Sequence, residues 1–205
     1  RPEGPFIPQP APIRGSYSID PCLFKDDDGT VYAFFGGIWG GQLQWYDNNK
    51  MLKDEHLPEG KEPALPPRVV RMTDDMLQFA EPPRAVEIVD ANGQPLTADN
   101  PYRFFEASWM HKYNGRYYFS YSTGDTHYLC YAIGDNPYGP FTFQGVILDP
   151  VVGWTTHHSI LEYKGQWYLF HHDCVPSNGT TWLRSLKVMP LHYDSTGHIL
   201  RMKSE

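Results

Sequence analysis

The chain has 205 residues, 40% hydrophobic and 15% aromatic, which is enough to build a substantial core in one large domain or two small ones. A formal net charge of −7 argues against the basic surface that phosphate recognition needs, so no nucleic-acid partner is expected. No apolar run approaches the length of a membrane span, so no membrane partner is expected either, and three cysteines without a CxxC spacing argue against a disulfide scaffold.

Helical periodicity never persists beyond about two turns, while 19 Pro and 18 Gly punctuate short aromatic segments. The expected fold is therefore all-β. In chain order, the opening "RPEGPFIPQPAPI" (1–13) is polar and Pro-rich, and it shares its Pro, Gly, Pro and Phe spacing with "NPYGPFTFQGVIL" (136–148). "SIDPCLFKDDDGTVYAFFGG" (18–37) reads as a hairpin: a polar opening, an apolar strand, a turn at Gly29 and an aromatic return strand. The acidic turn at 26–28 reads as a solvated hairpin tip rather than a calcium loop. A polar, Pro-rich stretch at 40–67 reads as a long loop inserted at the exposed end of the unit. "RMTDDMLQFAEPPRAVEI" (71–88) is a weaker cousin of the GPF segment.

The hairpin template returns in "FFEASWMHKYNGRYYFSYST" (104–123), turning at Gly115, and in "THHSILEYKGQWYLFHHD" (156–173), turning at Gly165. Gly supplies the positive φ that such tight turns require. A hairpin followed by a second strand pair, with 50 residues between Gly115 and Gly165, is the signature of a β-propeller blade. The 86 residues between Gly29 and Gly115 leave a surplus that matches the insertion. The expected division is an outer half-blade at 1–16, a blade at 17–90 with the insertion at 40–67, a blade at 101–150 and a blade at 155–205. Roughly three blades do not close a ring, so the chain reads as the C-terminal part of a larger propeller.

Equivalent positions of successive blades face one another around the axis. The template puts Asp20, Glu106 and His157 there: Asp20 and Glu106 precede their turn glycine by nine residues, His157 by eight. Two carboxylates in different environments suit glycosidic bond cleavage, with one kept protonated as an acid and the other ionised. The aromatics Phe104, Phe105 and Trp109 around Glu106 would desolvate it and raise its pKa.

"SIDPCLFKDDDG", "FFEASWMHKYNGRYYFSYS", "DNPYGPF" and "HHSILEYKGQWYLFHHD" together resemble glycoside hydrolase family 43, and the likeness runs over nearly the whole chain. The resemblance implies a five-bladed β-propeller of the β-xylosidase or α-L-arabinofuranosidase type, acting by inversion on xylo- or arabino-oligosaccharides. It implies Glu106 as general acid and Asp20 as the carboxylate that tunes it. The family's base lies in an earlier blade, so an N-terminal fragment of the same protein is expected as the partner that completes the ring. The resemblance also places His157 either beside a calcium ion on the axis or in the core as a hydrogen-bonded histidine. No organic cofactor is implied. Arg184 in "WLRSLKV" resembles an arginine that reaches the sugar pocket, the alternative being a surface ion pair. Trp39 in "GGIWGG" belongs at the same rim, either stacked on a sugar or packed under the insertion. A sugar-binding or structural propeller without catalysis is the competing reading, and a related propeller family acting on fructans or other arabinosides is a third.

Overall fold

Gly29, Gly115 and Gly165 all hold φ between +76° and +89°, so each of the three template segments closes into a tight hairpin. The computed structural model of the chain describes residues 2–204. Arg1 and Glu205, the outermost positions of the expected segments 1–16 and 155–205, lie outside the described residues.

In the first blade, β1 (Cys22–Lys25) pairs antiparallel with β2 (Val31–Phe35). The segment 40–67 then intervenes. Together with Trp39 it holds two single-turn 3-10 helices, Trp39–Gly41 and Leu43–Trp45, and a small hairpin of β3 (Tyr46–Asp47) with β4 (Lys50–Met51). The sheet resumes with β5 (Arg68–Arg71) and β6 (Arg84–Ala85), giving the order β1-β2-β5-β6.

The short β7 (Ile88–Val89) leaves this blade and runs parallel to the outer strand of the next one. That second blade is β8 (Phe104–Tyr113), β9 (Arg116–Thr123), β10 (Leu129–Gly134) and β11 (Phe141–Leu148). The third is β12 (Ser159–Tyr163), β13 (Gln166–Asp173) and β14 (Ser185–Leu191). Beyond β14 the chain returns to the second blade, where Met202 pairs in parallel with Leu148. The inner strands β1, β8 and β12 neighbour one another, which is the arrangement of propeller blades about an axis. Residues 2–21 carry no strand, and Phe6 and Ile7 are exposed, whereas Phe141 of the matching GPF segment is fully buried.

Alternation along β9 shows how the seams are filled. Tyr117, Phe119 and Tyr121 join Phe24, Phe34 and Phe104 in the seam between the first and second blades. Tyr118 packs with Ile160, Leu169 and Leu191 in the seam between the second and third. Ser120 and Ser122 share that second seam and reach across it: Ser120 Oγ lies 2.6 Å from His158 Nε2, and Ser122 Oγ donates to Thr156 O at 2.5 Å. Trp109 Nε1 adds a bond to Ile160 O at 3.1 Å. Burial holds His158 neutral, its pKa well below the usual histidine value, so it takes part as an uncharged imidazole.

In the acidic turn Asp27 and Asp28 are exposed, as a solvated tip requires, whereas Asp26 is drawn in. Asp26 accepts hydrogen bonds from Lys112 Nζ at 2.9 Å and Tyr117 Oη at 2.6 Å, and Asp27 meets the same lysine at 2.7 Å. The turn therefore clasps the second blade. Cys22, Cys130 and Cys174 are free and buried. Among the described residues no helix is long and apolar enough to cross a membrane.

Candidate active site

Glu106 sits where β8 is irregular. The register against β9 shifts on both sides of it, and Ala107 adopts φ +62°. Bulges of this kind re-aim a side chain that would otherwise follow the pleat. Asp20, just before β1, is also left-handed at φ +57°, and its Oδ2 accepts the Ala107 N–H at 3.2 Å. A non-glycine residue at positive φ costs energy and persists only where its surroundings hold it. Here two such residues are joined by one hydrogen bond, which locks the Asp20 loop to the Glu106 bulge.

Small residues let these loops close. Ile38 N donates to Phe105 O at 3.1 Å, and Gly36 N donates to Ile19 O at 2.9 Å. A Cβ at Gly37 would stand 2.6 Å from Ile19 Cγ1 and 3.4 Å from Glu106 Cβ, so only glycine allows the approach.

Glu106 is half-buried, and Thr155 Oγ1 donates a hydrogen bond to its Oε1. Burial raises its pKa above the ordinary glutamate value. The Thr155 bond opposes that, the Asp20 charge adds to it, and His157 and Arg184 pull the other way. The net result is a carboxyl group biased towards its protonated form. His157 Nδ1 lies 3.7 Å from Asp20 Oδ1, so Asp20 links His157 to the Ala107 N–H of the Glu106 bulge. The His157 backbone N–H donates to His172 Nε2 at 3.1 Å. Burial brings the His172 pKa down to about 4, so its ring is a neutral acceptor at neutral pH.

Trp39 is about half exposed. It stands edge-on to Phe105 with ring centroids 5.1 Å apart. Gln44 Oε1 accepts its backbone N–H at 3.0 Å, so the start of the insertion props the ring beside the site. Arg184 is exposed, donates from Nε to Thr181 O at 3.1 Å and forms no ion pair among the described residues. Its charge acts on both Glu106 and His172. Thr155 was not singled out from sequence as a partner of the site. The signal available for Thr155 was its place two residues before the template position His157.

The family resemblance implies calcium near His157. Calcium takes six to eight oxygen ligands. Among the described residues no group of three or more His, Cys, Asp or Glu is placed to hold a metal. One imidazole and the Asp20 carboxylate do not form a protein cage, so any ion here would draw most of its shell from water or from groups outside this chain.

Blades whose inner strands neighbour one another, with a bulged, half-buried carboxyl group and a second carboxylate pinned to the bulge at one end, define a β-propeller with a candidate site there. The chain belongs to the glycosyl hydrolases family 43, whose model matches residues 1–199. A β-xylosidase of Xylanibacter ruminicola is 78% identical over 203 residues, which are 99% of this chain and 64% of that protein. The solved structure of RS223-β-xylosidase superposes with a TM-score of 0.97 at 68% identity, covering 99% of this chain and 63% of its own. CoXyl43, a β-xylosidase/α-arabinofuranosidase from a compost microbial metagenome, was solved with xylotriose in a calcium-free form. It superposes with a TM-score of 0.95 at 56% identity over 99% of this chain and 63% of its own. The chain thus spans less than two thirds of the length of these relatives.

Proposed function

We propose that this chain forms part of an inverting glycoside hydrolase that releases xylose or arabinose units from oligosaccharides. The observation that carries the reading is Glu106: half-buried, biased towards protonation, and set beside an Asp20 that is itself pinned to the neighbouring backbone. Glu106 delivers its proton to the glycosidic oxygen as the bond breaks. Asp20 fixes the bulge that aims Glu106, and its negative charge opposes ionisation of the acid. Arg184 supplies guanidinium donors for sugar hydroxyls or the Asp20 carboxylate, and Trp39 offers an apolar edge to the sugar ring. No organic cofactor is needed for these proton transfers.

An inverting mechanism also needs a carboxylate base about 6.5–9.5 Å from the acid, with room for a water between them. We place it on an N-terminal segment of the whole protein, outside this chain, because the chain covers only 64% of its β-xylosidase relative. Two apolar faces favour that partner. On the first blade, Ile13, Tyr17, Leu23, Phe35, Met76 and Phe79 line an open groove of about 710 Å³. On the third, Leu161, Tyr163, Leu186 and Val188 are exposed. Two further blades packed between these faces close a ring of five. A calcium ion beside His157, held chiefly by water, is the finer element of the same proposal, prompted by the calcium-free description of CoXyl43.

The test is leaving-group dependence in the full-length protein. Glu106→Ala should abolish hydrolysis of xylo-oligosaccharides, by about 10²- to 10⁴-fold, while largely sparing activated aryl xylosides, whose leaving group needs little protonation. Equal losses on both substrates remove Glu106 from the acid role.

A further inference from the structure

Three residues of one segment, read backwards from the axis, lead out of the site. His157 meets Asp20, Thr155 bonds Glu106, and Trp154, the next residue along the chain, is half exposed. Consecutive Cα atoms are about 3.8 Å apart, so the indole begins one residue beyond the acid's own hydrogen-bond partner. We propose that Trp154, backed by His127, is the platform on which the departing sugar of the substrate stacks. The proposal rests on the glycosidase reading above and adds to it the subsite that selects for a sugar leaving group.

The geometry favours a held platform over a loose surface side chain. The Trp154 ring lies against His127 with centroids 5.1 Å apart at 54°. His127 is fixed at the tip of a turn, at φ +53°, with its N–H donated to Gly124 O at 3.1 Å. Gly124 in turn lies against Phe105: a Cβ there would stand 3.4 Å from that ring, so the turn is seated beside the Glu106 bulge. On its other side the Trp154 loop is tied to the turn after β13, because Cys174 N donates to Val152 O at 2.8 Å. Gly153 is left-handed at φ +128°, and a Cβ there would come 2.9 Å from Cys174 Sγ.

The chemistry gives the direction. A general acid contacts the glycosidic oxygen, so the leaving sugar lies beside the acid. The exposed indole, one residue past Thr155 and held against His127, is the candidate for that place. Its broad apolar face suits the C–H face of a pyranose, and a ring already held in place loses little freedom on binding.

The test compares two substrates in the full-length protein: xylobiose, whose leaving group is a sugar, and β-xylosyl fluoride, whose leaving group has no ring to stack. Trp154→Ala should lower kcat/KM on xylobiose by about tenfold, the loss of one good stacking contact, with β-xylosyl fluoride changed by less than about twofold. Trp154→Phe should recover most of the loss, and His127→Ala should lower xylobiose turnover selectively by removing the support. Melting temperatures of all three variants separate these effects from unfolding. If Trp154→Ala fails to fold, the same comparison in Trp154→Phe and His127→Ala decides. Equal losses on both substrates, or full activity on xylobiose, overturn the platform while leaving the glycosidase reading intact. A wild-type protein that turns over neither substrate overturns both.

Discussion

A single methyl group at Gly37 tests whether the Asp20 loop and the Glu106 bulge act as one unit. The added Cβ in Gly37→Ala would sit 2.6 Å from Ile19 Cγ1 and 2.8 Å from Ile19 Cδ1. Carbon pairs settle near 3.5–4.0 Å, so Ile19 must retreat by about 1 Å. Cγ1 is close to the backbone, so no simple rotation of the chain's end relieves the contact. Overpacking of this kind costs about 1–3 kcal/mol, which a melting curve reads as a drop of several degrees. The larger effect falls on catalysis. Asp20 follows Ile19 directly, and displacing it weakens the 3.2 Å bond to Ala107 N that holds the bulge. A misplacement of about 1 Å in a positioned catalytic group costs on the order of 10²-fold in rate. The assay is kcat on xylobiose in the full-length protein beside thermal melting, for Gly37→Ala and for Gly37→Ala with Ile19→Ala, which deletes both clashing atoms. The single variant should lose activity out of proportion to stability, and the double variant should regain part of it. Wild-type turnover in Gly37→Ala would refute the coupling.

Asp20→Asn should lower turnover and move the alkaline limb of the pH–rate profile to lower pH. The Asp20 charge is one of the influences that raise the Glu106 pKa, and the acid must remain protonated to act; an unchanged profile with full activity removes Asp20 from the site. Chelation should lower activity and added calcium restore it if an ion sits beside His157, with His157→Ala abolishing the response, whereas indifference to chelators in the active protein ends the calcium proposal. The clasp between the first two blades should be pH-dependent. Burial acts to raise the Asp26 pKa, but hydrogen bonds from Tyr117 and Lys112 outweigh it and hold the pKa below the ordinary aspartate value. The stability it contributes is therefore present above about pH 4, the usual unfolded value, and is lost as pH falls through the folded value. Lys112→Met should flatten acid denaturation in that range, and an unaltered curve counts against the clasp.

The hairpins were legible because their signals are local: a glycine at a positive-φ turn flanked by alternating apolar residues needs no knowledge of the rest of the chain. Repetition then did what local pattern does not, bringing Asp20, Glu106 and His157 from three distant segments to one end of the blades. The contacts between them were less accessible. Nothing in "IDP" announces that Asp20 accepts a backbone N–H 87 positions away, because that bond depends on bulge geometry rather than residue type. Asp26 was read as solvated for a related reason, since an acidic turn looks the same whether its tip meets water or a lysine 86 residues downstream. The two-residue β7 carries too short a pattern to be recognised as a strand, and its partner was set by the path of the chain.

That path has a mechanical consequence. The free edge of β11 is covered at one end by Ile88–Val89 arriving from the first blade and at the other by Met202 returning from the third. Each blade thus lends a short piece of backbone to the middle one, so that neighbouring blades are stitched together by main-chain bonds as well as packed side chains. A cut in the surface connection near Asn92 and Gly93 would leave β7 still seated on β11 and the aromatic seam intact. The severed pieces would remain one particle, and a protease acting there would mark the chain without dismantling it.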